Sequence, residues 1–316
     1  MDLVNHLNDR VLFAVPKRVR GKTNKQKCVH IYNTEGRLYQ EVVKILHGSD
    51  INFHKNDRLD IALSTNMPVA LIFLRAADIP TFVGMGKCDL GITGVDVVRE
   101  SQEENVSLAM DLQFGNCKLQ VQVPEKGDII EPKELIGKTV VTSFVNLSSE
   151  YFAKLEGTTV DKMTTKIKYV TGSVEASCAL GVADGIVDLV ESGETMRACG
   201  LKAIATVLET SAYLIENNKR PKSNPELLEI IKSRIEGVMT AQKYVYCNYN
   251  APKCKLQQLL EITPGRRAPT ISSINDDGWV AVSSMIERKN KGHIMDKLKS
   301  IGAADIMVFE ISNCRV

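Results

Sequence analysis

Short apolar runs alternate with amphipathic stretches along the first two thirds of the chain. The runs are four to six residues long, too short for helices, and they predict β-strands at 11–15, 60–64, 69–74, 90–93, 119–123, 139–143, 167–170, 185–190 and 211–216. Apolar residues with helical spacing lie between them, at 37–47, 78–86, 148–155 and 173–181. This alternation is typical of parallel sheets in an α/β fold.

The pattern changes after 219–226, a polar stretch that contains two prolines. The remainder predicts a helix at 226–238, a strand at 242–249, a helix at 252–261, strands at 268–274 and 279–286, a helix at 290–301 and a strand at 305–311. From 242 onwards the order is β-α-β-β-α-β, which is that of a ferredoxin-like domain. Asp277 and Gly278 have the residue types of a hairpin turn between the two middle strands.

Length and composition narrow the class of protein. The 316 residues suffice for two or three domains, and 44% hydrophobic with 25% charged residues is ordinary for a soluble globular protein. No stretch approaches the ~20 apolar residues of a membrane span. The N-terminus lacks the apolar core of a signal peptide, so we expect a cytoplasmic protein. The eight cysteines show no paired metal-ligand spacing, and we expect them to be reduced.

The charge is concentrated in one segment, residues 19–35. This segment carries a net charge of +3 within a chain whose total is +2, and its polar sequence has no clear period. It separates the first predicted strand from the first predicted helix, whereas such connections usually take about two to six residues. Because the basic excess is confined to this loop-like segment, we expect no nucleic-acid binding.

A strand, a turn and a helix start follow one another at 185–195. The apolar run GIVDLV leads into Glu191-Ser192-Gly193-Glu194-Thr195. Free backbone N–H groups at a helix start attract anions, and Gly193 allows the chain to curl around phosphate oxygens. Ser192 and Thr195 add hydroxyl donors. Asp188, near the strand end, could accept from sugar hydroxyls or hold Mg²⁺ through water.

A plain capped turn explains the same residues. Ser-Gly-Glu-Thr is also a good helix N-cap sequence. The carboxylates Glu191 and Glu194 count against phosphate binding unless they point away or toward a metal. The loop alone therefore leaves both readings open.

Several further motifs together resemble a known family. They are FLRAADIPTFVGMGKCDLGITGVDVV at 73–98, LQFGNCKLQVQVP at 112–124, the 172–195 segment, ITPGRRAPTI and IGAADIMVFEI. The chain closely resembles the long form of ATP phosphoribosyltransferase, the first enzyme of histidine biosynthesis, and is most similar to fungal members. The resemblance covers essentially the whole chain except 19–35.

The resemblance implies an activity and an architecture. The family joins ATP to phosphoribosyl pyrophosphate (PRPP) with Mg²⁺, forming phosphoribosyl-ATP and pyrophosphate. Its catalytic part resembles type II periplasmic binding proteins, with a first lobe at 1–114 plus 205–220 and a second lobe at 115–204. A ferredoxin-like domain at 221–316 binds histidine as feedback inhibitor. Long-form members assemble as dimers and hexamers.

The resemblance also assigns roles to individual residues. It gives residues of the PRPP loop to that substrate: Asp188, Glu191, Ser192, Gly193, Glu194 and Thr195. It gives nucleotide contacts to Arg37, Arg75, Asp78, Gly91 and Gly94. A surface ion pair is the alternative for Arg75, and simple turn geometry is the alternative for the two glycines. No Ser/His/Asp-type triad is expected, because positioning two polyanions supplies most of the rate.

Five residues fall where the family's histidine pocket lies: Asn250, Arg266, Thr270, Met285 and Asp305. Thr270 and Asp305 have groups that suit an amino-acid ligand, with Asp305 toward a cation. Some relatives have an aspartate where this chain has Asn250, which puts the imidazole contact in doubt. Ordinary surface or core roles remain the alternative for each.

The family has a compact Pro-Lys-x-Gly-Arg-Leu motif between its first strand and first helix. Here residues 16–18 are separated from 36–38 by the 19–35 segment, and removing the segment restores the motif with Arg37 at the helix start. The segment is either a real surface loop or translated intervening sequence from a wrong gene model. We favour the second explanation, because the segment interrupts a loop that must be accurately placed.

Two other classes of protein share parts of this pattern. A non-catalytic solute-binding or sensor protein would have the same two-lobe architecture. A regulatory subunit would keep the third domain without catalysis. The absence of an export signal and the loop at 188–195 favour the enzyme over the solute-binding protein.

Overall fold

The structure is a computed structural model that describes residues 7, 9–18, 34–56, 58–219 and 224–315, with side chains of the first helix from Leu38 onward. The chain divides into two compact units. The first consists of Met1–Val43 and Phe53–Ser223, and the second of Lys44–Asn52 and Asn224–Val316. Most of the 19–35 segment lies outside the described residues.

The first unit contains a six-stranded sheet in the order β2-β3-β1-β4-β11-β5. Its strands are β1 (Val11–Pro16), β2 (Ile61–Leu63), β3 (Val69–Leu74), β4 (Leu90–Gly94), β5 (Val106–Asp111) and β11 (Ala212–Asn217). β1 pairs in parallel with β3 and β4, whereas β2, β5 and β11 are antiparallel to their neighbours. The central β1 is apolar on both faces, which explains its unbroken hydrophobic run.

A second, five-stranded sheet in the same unit has the order β10-β6-β9-β7-β8. Its strands are β6 (Cys117–Pro124), β7 (Thr139–Thr142), β8 (Lys166–Tyr169), β9 (Gly185–Val190) and β10 (Leu201–Thr210). β7 is parallel to β8 and β9, and β6 runs antiparallel to β9 and β10. The predicted parallel strands therefore form the middle of the first sheet, with antiparallel strands on both sides, and one side of the second sheet, where β8 is the edge strand.

The chain passes between the two sheets twice, at 112–116 and at Ser211. This is the two-sheet arrangement expected of a type II periplasmic-binding-protein-like fold, which is confirmed. The return to the first sheet comes later than the predicted 205, because β10 stays paired with β6 through Thr210. The two crossings are hydrogen-bonded to each other, since Ala212 N–H donates to Phe114 O at 2.9 Å.

In the described part of the chain, six α-helices accompany these sheets: α1 (Thr34–Gly48), α2 (Ile79–Gly84), α3 (Val95–Ser101), α4 (Val145–Glu156), α5 (Ala176–Ala179) and α6 (Glu194–Ala198). Pro80 stands in the first turn of α2, where its missing N–H has no cost. α5 is shorter than the predicted 173–181, because Ser173 and Gly181 have φ +53 and +68, outside the right-handed helical region.

The second unit contains α7 (Pro225–Lys243), β12 (Tyr244–Pro252), α8 (Leu256–Ile262), β13 (Thr270–Ser273), β14 (Trp279–Glu287), α9 (Lys291–Ile301) and β15 (Ala304–Glu310). Its sheet order, β13-β14-β12-β15, with all strands antiparallel, is that of a ferredoxin-like domain and confirms the prediction. The unit also includes 44–52 from the end of α1, which the sequence did not indicate. Trp279 N–H donates to Asp276 O at 3.1 Å in the predicted hairpin turn.

Candidate functional site

The segment between β9 and α6 forms a tight turn that requires glycine. Gly193 has φ +73, and a Cβ there would come 2.8 Å from Arg197 Nη1. Arg197 Nη2 donates to Ser192 O at 3.1 Å, and Glu194 N–H donates to Ser192 Oγ at 3.4 Å. Arg197 therefore holds a guanidinium directly against the predicted PRPP loop. Sequence reasoning missed it, although its position four residues after Gly193 on α6 was a usable signal.

The end of β9 is held from both sides by polar side chains. Thr142 Oγ1, on β7, donates to Val187 O at 2.7 Å. Gln122 Nε2, on β6, donates to Asp188 O at 3.3 Å. Both side chains are buried, with exposures of 0% and 2%. The strand that carries the predicted PRPP loop is therefore fixed by side-chain hydrogen bonds in addition to its backbone hydrogen bonds to the neighbouring strands.

Asp188 has an unusual acidity for an aspartate. Burial and the nearby charge of Glu175 raise its pKa to about 6, against the lowering effect of the Leu189 N–H, which donates to Asp188 Oδ1 at 2.8 Å. A nearby cation would therefore stabilise its ionised form strongly. A half-buried carboxylate of this kind at a strand end is a group suited to binding or proton exchange.

A cavity of about 660 Å³ opens beside the loop. Its walls come from β6, the end of β9, α6 and the end of β10, and they include Lys118, Ser192, Arg197 and Thr210. Lys118 Nζ makes an ion pair of 2.7 Å with Glu209 Oε1. Lys118 and Arg197, from two elements, thus line one cavity together with Glu191 and Glu209. Of the residues assigned to PRPP, Glu191, Ser192 and Gly193 line it.

Three of the residues assigned to nucleotide contacts, Arg75, Asp78 and Gly94, lie at one edge of the first sheet. Arg75 directly follows β3, and Lys17 directly follows β1. The backbone N–H of Lys17 donates to Leu74 O at 2.7 Å. Because β1, β3 and β4 are parallel, their carboxyl ends meet at this edge, together with Gly94. Arg75 and Asp78 are both exposed there. The side chain of Arg37 lies outside the described residues.

The two glycines assigned to nucleotide contacts have packing reasons. A Cβ at Gly91 would come 2.7 Å from Ile79 Cγ2 and 3.0 Å from Val83 Cγ2, so β4 and α2 pack closely through it. A Cβ at Gly94 would collide with the carboxylate of Asp96. Their glycine requirement therefore follows from the fold itself, and ligand approach at these positions stays a prediction.

The residues assigned to histidine binding lie in the second unit, four of them on the strands of its sheet. Asn250 Nδ2 donates to Asp305 Oδ2 at 2.8 Å. Asp305 has φ +50, next to a register irregularity between β12 and β15. A non-glycine residue in this conformation is strained, which directs attention to function.

The other three assigned residues are not gathered around this pair. Asn250 is opposite Ala281 on β14, so Met285 is four residues further along, roughly 13 Å away. Thr270 is opposite Ser283, between them. Arg266 precedes β13. The structure brings Asn250 and Asp305 together and spreads the rest.

Comparison with known proteins identifies the family. The family model described as ATP phosphoribosyltransferase matches residues 75–237, and its C-terminal domain model matches 241–313. The chain belongs to the ATP phosphoribosyltransferase family. It is an enzyme of the pentosyltransferase class, and the predicted resemblance is confirmed.

Full-length fungal relatives have high identity to this ATP phosphoribosyltransferase family member. ATP phosphoribosyltransferases of Kluyveromyces lactis and Saccharomyces cerevisiae are 71% and 69% identical over 316 residues, with 100% of each chain covered. That of Schizosaccharomyces pombe is 51% identical over 326 residues, again with 100% of each chain covered. These values confirm the predicted similarity to fungal members.

A solved structure shares the fold. The ATP phosphoribosyl transferase (HisG:HisZ) complex from Thermotoga maritima matches with a TM-score of 0.58 and 20% identity, covering 72% of this chain and 97% of that chain. Within the described residues, no helix has the length and apolar character needed to cross a membrane.

Proposed function

We propose that this chain transfers the phosphoribosyl group of PRPP to ATP, with release of pyrophosphate, as the first step of histidine biosynthesis. The observation that carries the proposal is the glycine turn at 191–193, closed by Arg197 and opening on a cavity that Lys118 and Arg197 line. Arg75, exposed directly after β3, offers a second anion-binding group in the same unit, near Lys17, whose Nζ lies 3.5 Å from Asp60 Oδ2. Two polyanionic substrates need two such surfaces.

The reaction needs little covalent help from the protein. N1 of adenine attacks C1 of the ribose, the bond from C1 to the pyrophosphate oxygen breaks, and positive charge develops on the sugar. Holding the two substrates in line and screening their phosphates lowers the barrier most. In this proposal, Ser192, Gly193, Glu194 and Thr195 bind the 5-phosphate, Arg75 binds a nucleotide phosphate, and Asp188 faces the ribose.

Mg²⁺ is part of the proposal as a substrate-bound ion. In the described residues no group of three or more His, Cys, Asp or Glu side chains could hold a metal. Asp188, with its raised pKa and the neighbouring charge of Glu175, fits a single carboxylate beside a cation. That donor set suits an ion carried mainly by phosphates and water. When bound, Mg²⁺ would neutralise the charge of the diphosphate.

The activity is tested by measuring pyrophosphate release from ATP, PRPP and Mg²⁺, with identification of phosphoribosyl-ATP by mass. We expect release only when both substrates are present. A well-folded, metal-supplied protein that binds these ligands without releasing pyrophosphate would instead be a solute-binding or sensor protein.

Substitution of Thr195 separates loop function from fold. Thr195→Val removes a hydroxyl donor from the loop and is expected to raise KM for PRPP about tenfold, the effect of one lost hydrogen bond to an anion. Thr159→Val is the matched control, at an exposed threonine in the same part of the first unit, the part that contains the second sheet. An equal KM in the two variants would remove Thr195 from the binding site.

We further propose that histidine binds the second unit and inhibits the enzyme, which works in the cytosol as a dimer or hexamer. The strained Asp305 and its bond to Asn250 support a site on this sheet face. Asp305→Asn is expected to raise the histidine concentration for half-inhibition about tenfold. The exposed Asp296→Asn on α9 is the control. A histidine-dependent oligomer shift in a protein without activity would indicate a regulatory subunit.

A further inference from the structure

α3 begins at the end of β4 in the first sheet. Both of its ends are nevertheless hydrogen-bonded to the part of the unit that contains the second sheet. It is a short helix, Val95–Ser101, and carries Asp96 and Glu100 four residues apart. Side chains with this spacing lie on the same face of a helix. Both carboxylates accept hydrogen bonds from residues that follow or belong to strands of the second sheet.

The N-terminal end of α3 is fixed to the last residue of β10. Thr210 Oγ1 donates to Asp96 Oδ1 at 2.7 Å and accepts from Asp96 N–H at 3.1 Å. Val95 N–H donates to Ser211 O at 3.1 Å. Asp96 is 4% exposed and Thr210 is 6% exposed, so water competes little for these bonds. Thr210 also lines the cavity beside the predicted PRPP loop.

The C-terminal end of α3 caps another helix. Glu100 Oε1 accepts from Asn146 N–H at 2.9 Å, and Glu100 Oε2 accepts from Leu147 N–H at 3.0 Å. Asn146 Nδ2 donates back to Glu100 O at 2.8 Å. These amides belong to the first turn of α4, whose own N-cap residue, Phe144, makes no side-chain capping bond. A carboxylate is the favoured partner of free amides at a helix start.

Both ends of α3 therefore hold elements that frame the site. α4 follows β7, and β7 pairs with β9, which leads into the 191–193 turn. β10 ends at the wall of the same cavity. On the other side, α3 continues β4, whose carboxyl end lies at the same edge of the first sheet as Arg75.

We propose that α3 is a clasp that sets the separation of the two substrate-binding edges, with Asp96 and Glu100 as its positioning residues. This inference rests on the proposed function. Neither carboxylate needs to contact a substrate. Each determines how far the nucleotide edge of the first sheet lies from the PRPP loop of the second, and the transfer step depends steeply on that distance.

The test removes the Glu100 carboxylate, which makes the bonds from α3 to α4. Glu100→Ala should increase hydrogen exchange of the amides of 146 and 147 at least tenfold and lower kcat about tenfold or more, since about 1 Å of misplacement is costly. KM for each substrate should change less than about threefold, because each substrate binds mainly one edge. Glu104→Ala, at an exposed glutamate three residues beyond α3, should match the unsubstituted protein.

Three further variants protect the test against misfolding. Glu100→Gln keeps the shape and one acceptor oxygen, so its kcat should fall between those of Glu100→Ala and the unsubstituted protein. Thr210→Val removes the hydroxyl that makes both bonds to Asp96, whereas Thr210→Ser keeps it, and the serine variant should have the higher kcat by at least fivefold.

The outcomes distinguish this inference from the proposed function. If Glu100→Ala exchanges and turns over like Glu104→Ala, or if it raises only KM, the clasp is wrong. If the unsubstituted protein releases no pyrophosphate, the proposed function fails, while the exchange measurement still reports whether Glu100 holds α4.

Discussion

Glu156 accepts four hydrogen bonds from two adjacent threonines. Its two carboxylate oxygens accept from the backbone N–H and the hydroxyl of both Thr164 and Thr165, at 2.6–3.0 Å. Burial acts to raise its pKa, but these four bonds outweigh it and lower the pKa to about 2. Glu156, the last residue of α4, therefore ties the end of this helix to Thr164 and Thr165, which lead directly into β8.

Replacing Glu156 by glutamine should destabilise the protein in a pH-dependent way. The amide NH₂ would face hydrogen-bond donors, so the free energy of unfolding should fall by about 1–2 kcal/mol at pH 7. The wild-type advantage is fully present above the unfolded pKa near 4.5 and disappears as pH falls toward 2. Denaturant titrations at several pH values measure it, with the exposed Glu125→Gln as control. A constant difference from pH 7 to pH 3 would contradict this account.

Asp188 should change the stability of the protein with pH in the opposite direction to Glu156. Its folded pKa, about 6, lies above the ordinary 3.8, so the folded state binds the proton more tightly and loses stability as pH rises through this window. Asp188→Asn removes that cost. At pH 8 it should raise the free energy of unfolding of the ligand-free protein by up to about 3 kcal/mol, and with it the melting temperature. The gain should be smaller at pH 5. The same variant should lose most of its activity. Thermal melts with the exposed Asp128→Asn as control test it, and an unchanged melting temperature at pH 8 would refute it.

Among the elements, the strands with regular apolar runs were predictable and two others were not. β10 is ten residues long and has two register irregularities against β6. Each irregularity breaks the period of two, so its apolar residues lack the alternation of a strand. β5 alternates weakly and half-exposes its residues. Their places depend on pairing with distant strands, which sequence patterns do not report.

The residues of the candidate site also fall into those that the sequence predicts and those that it does not. The turn at 191–193 was predictable, because a glycine between a buried strand and a helix start has a local cause. Arg197 and Lys118 were missed, since their relevance arises only when α6 and β6 meet at one cavity. Asp96 and Glu100 were missed for the same reason, although their spacing on one helix was visible.

The long helix α7 offers an element-scale prediction. Asn224 Oδ1 accepts from Leu227 N–H at 3.0 Å, which caps the first turn, and Pro225 occupies the first helical position. Asn224→Ala should lower the stability of the second unit by about 1 kcal/mol, whereas Asn224→Ser should cost much less because serine also caps. Hydrogen exchange of the first-turn amides measures this directly. Equal exchange in the two variants would show that the side chain does not cap the helix.

At the scale of the whole molecule, the 19–35 segment interrupts the connection between the first strand and the first helix, which leads to the edge predicted to bind the nucleotide. β1 ends at Pro16, and Lys17 is bonded to the end of β3 beside Arg75. Deleting 19–35 would join Arg18 to Gly36 and bring Arg37 directly after this edge. We expect the shortened chain to have a lower KM for ATP, by about tenfold, because an arginine gains a charge-assisted contact with phosphate.

Length and charge of the segment need separate controls. A full-length chain with glutamine in place of Arg20, Lys22, Lys25 and Lys27 keeps the length and removes the positive charge. If length is what displaces Arg37, this chain should keep the KM of the unmodified protein, and only the deletion should lower it. Deletion of 19–33, which retains all of α1 from Thr34, should give an intermediate KM. Equal kinetics for all four chains would show that the segment leaves the nucleotide edge undisturbed, and sequencing the transcript across codons 18–36 would then decide whether it is native.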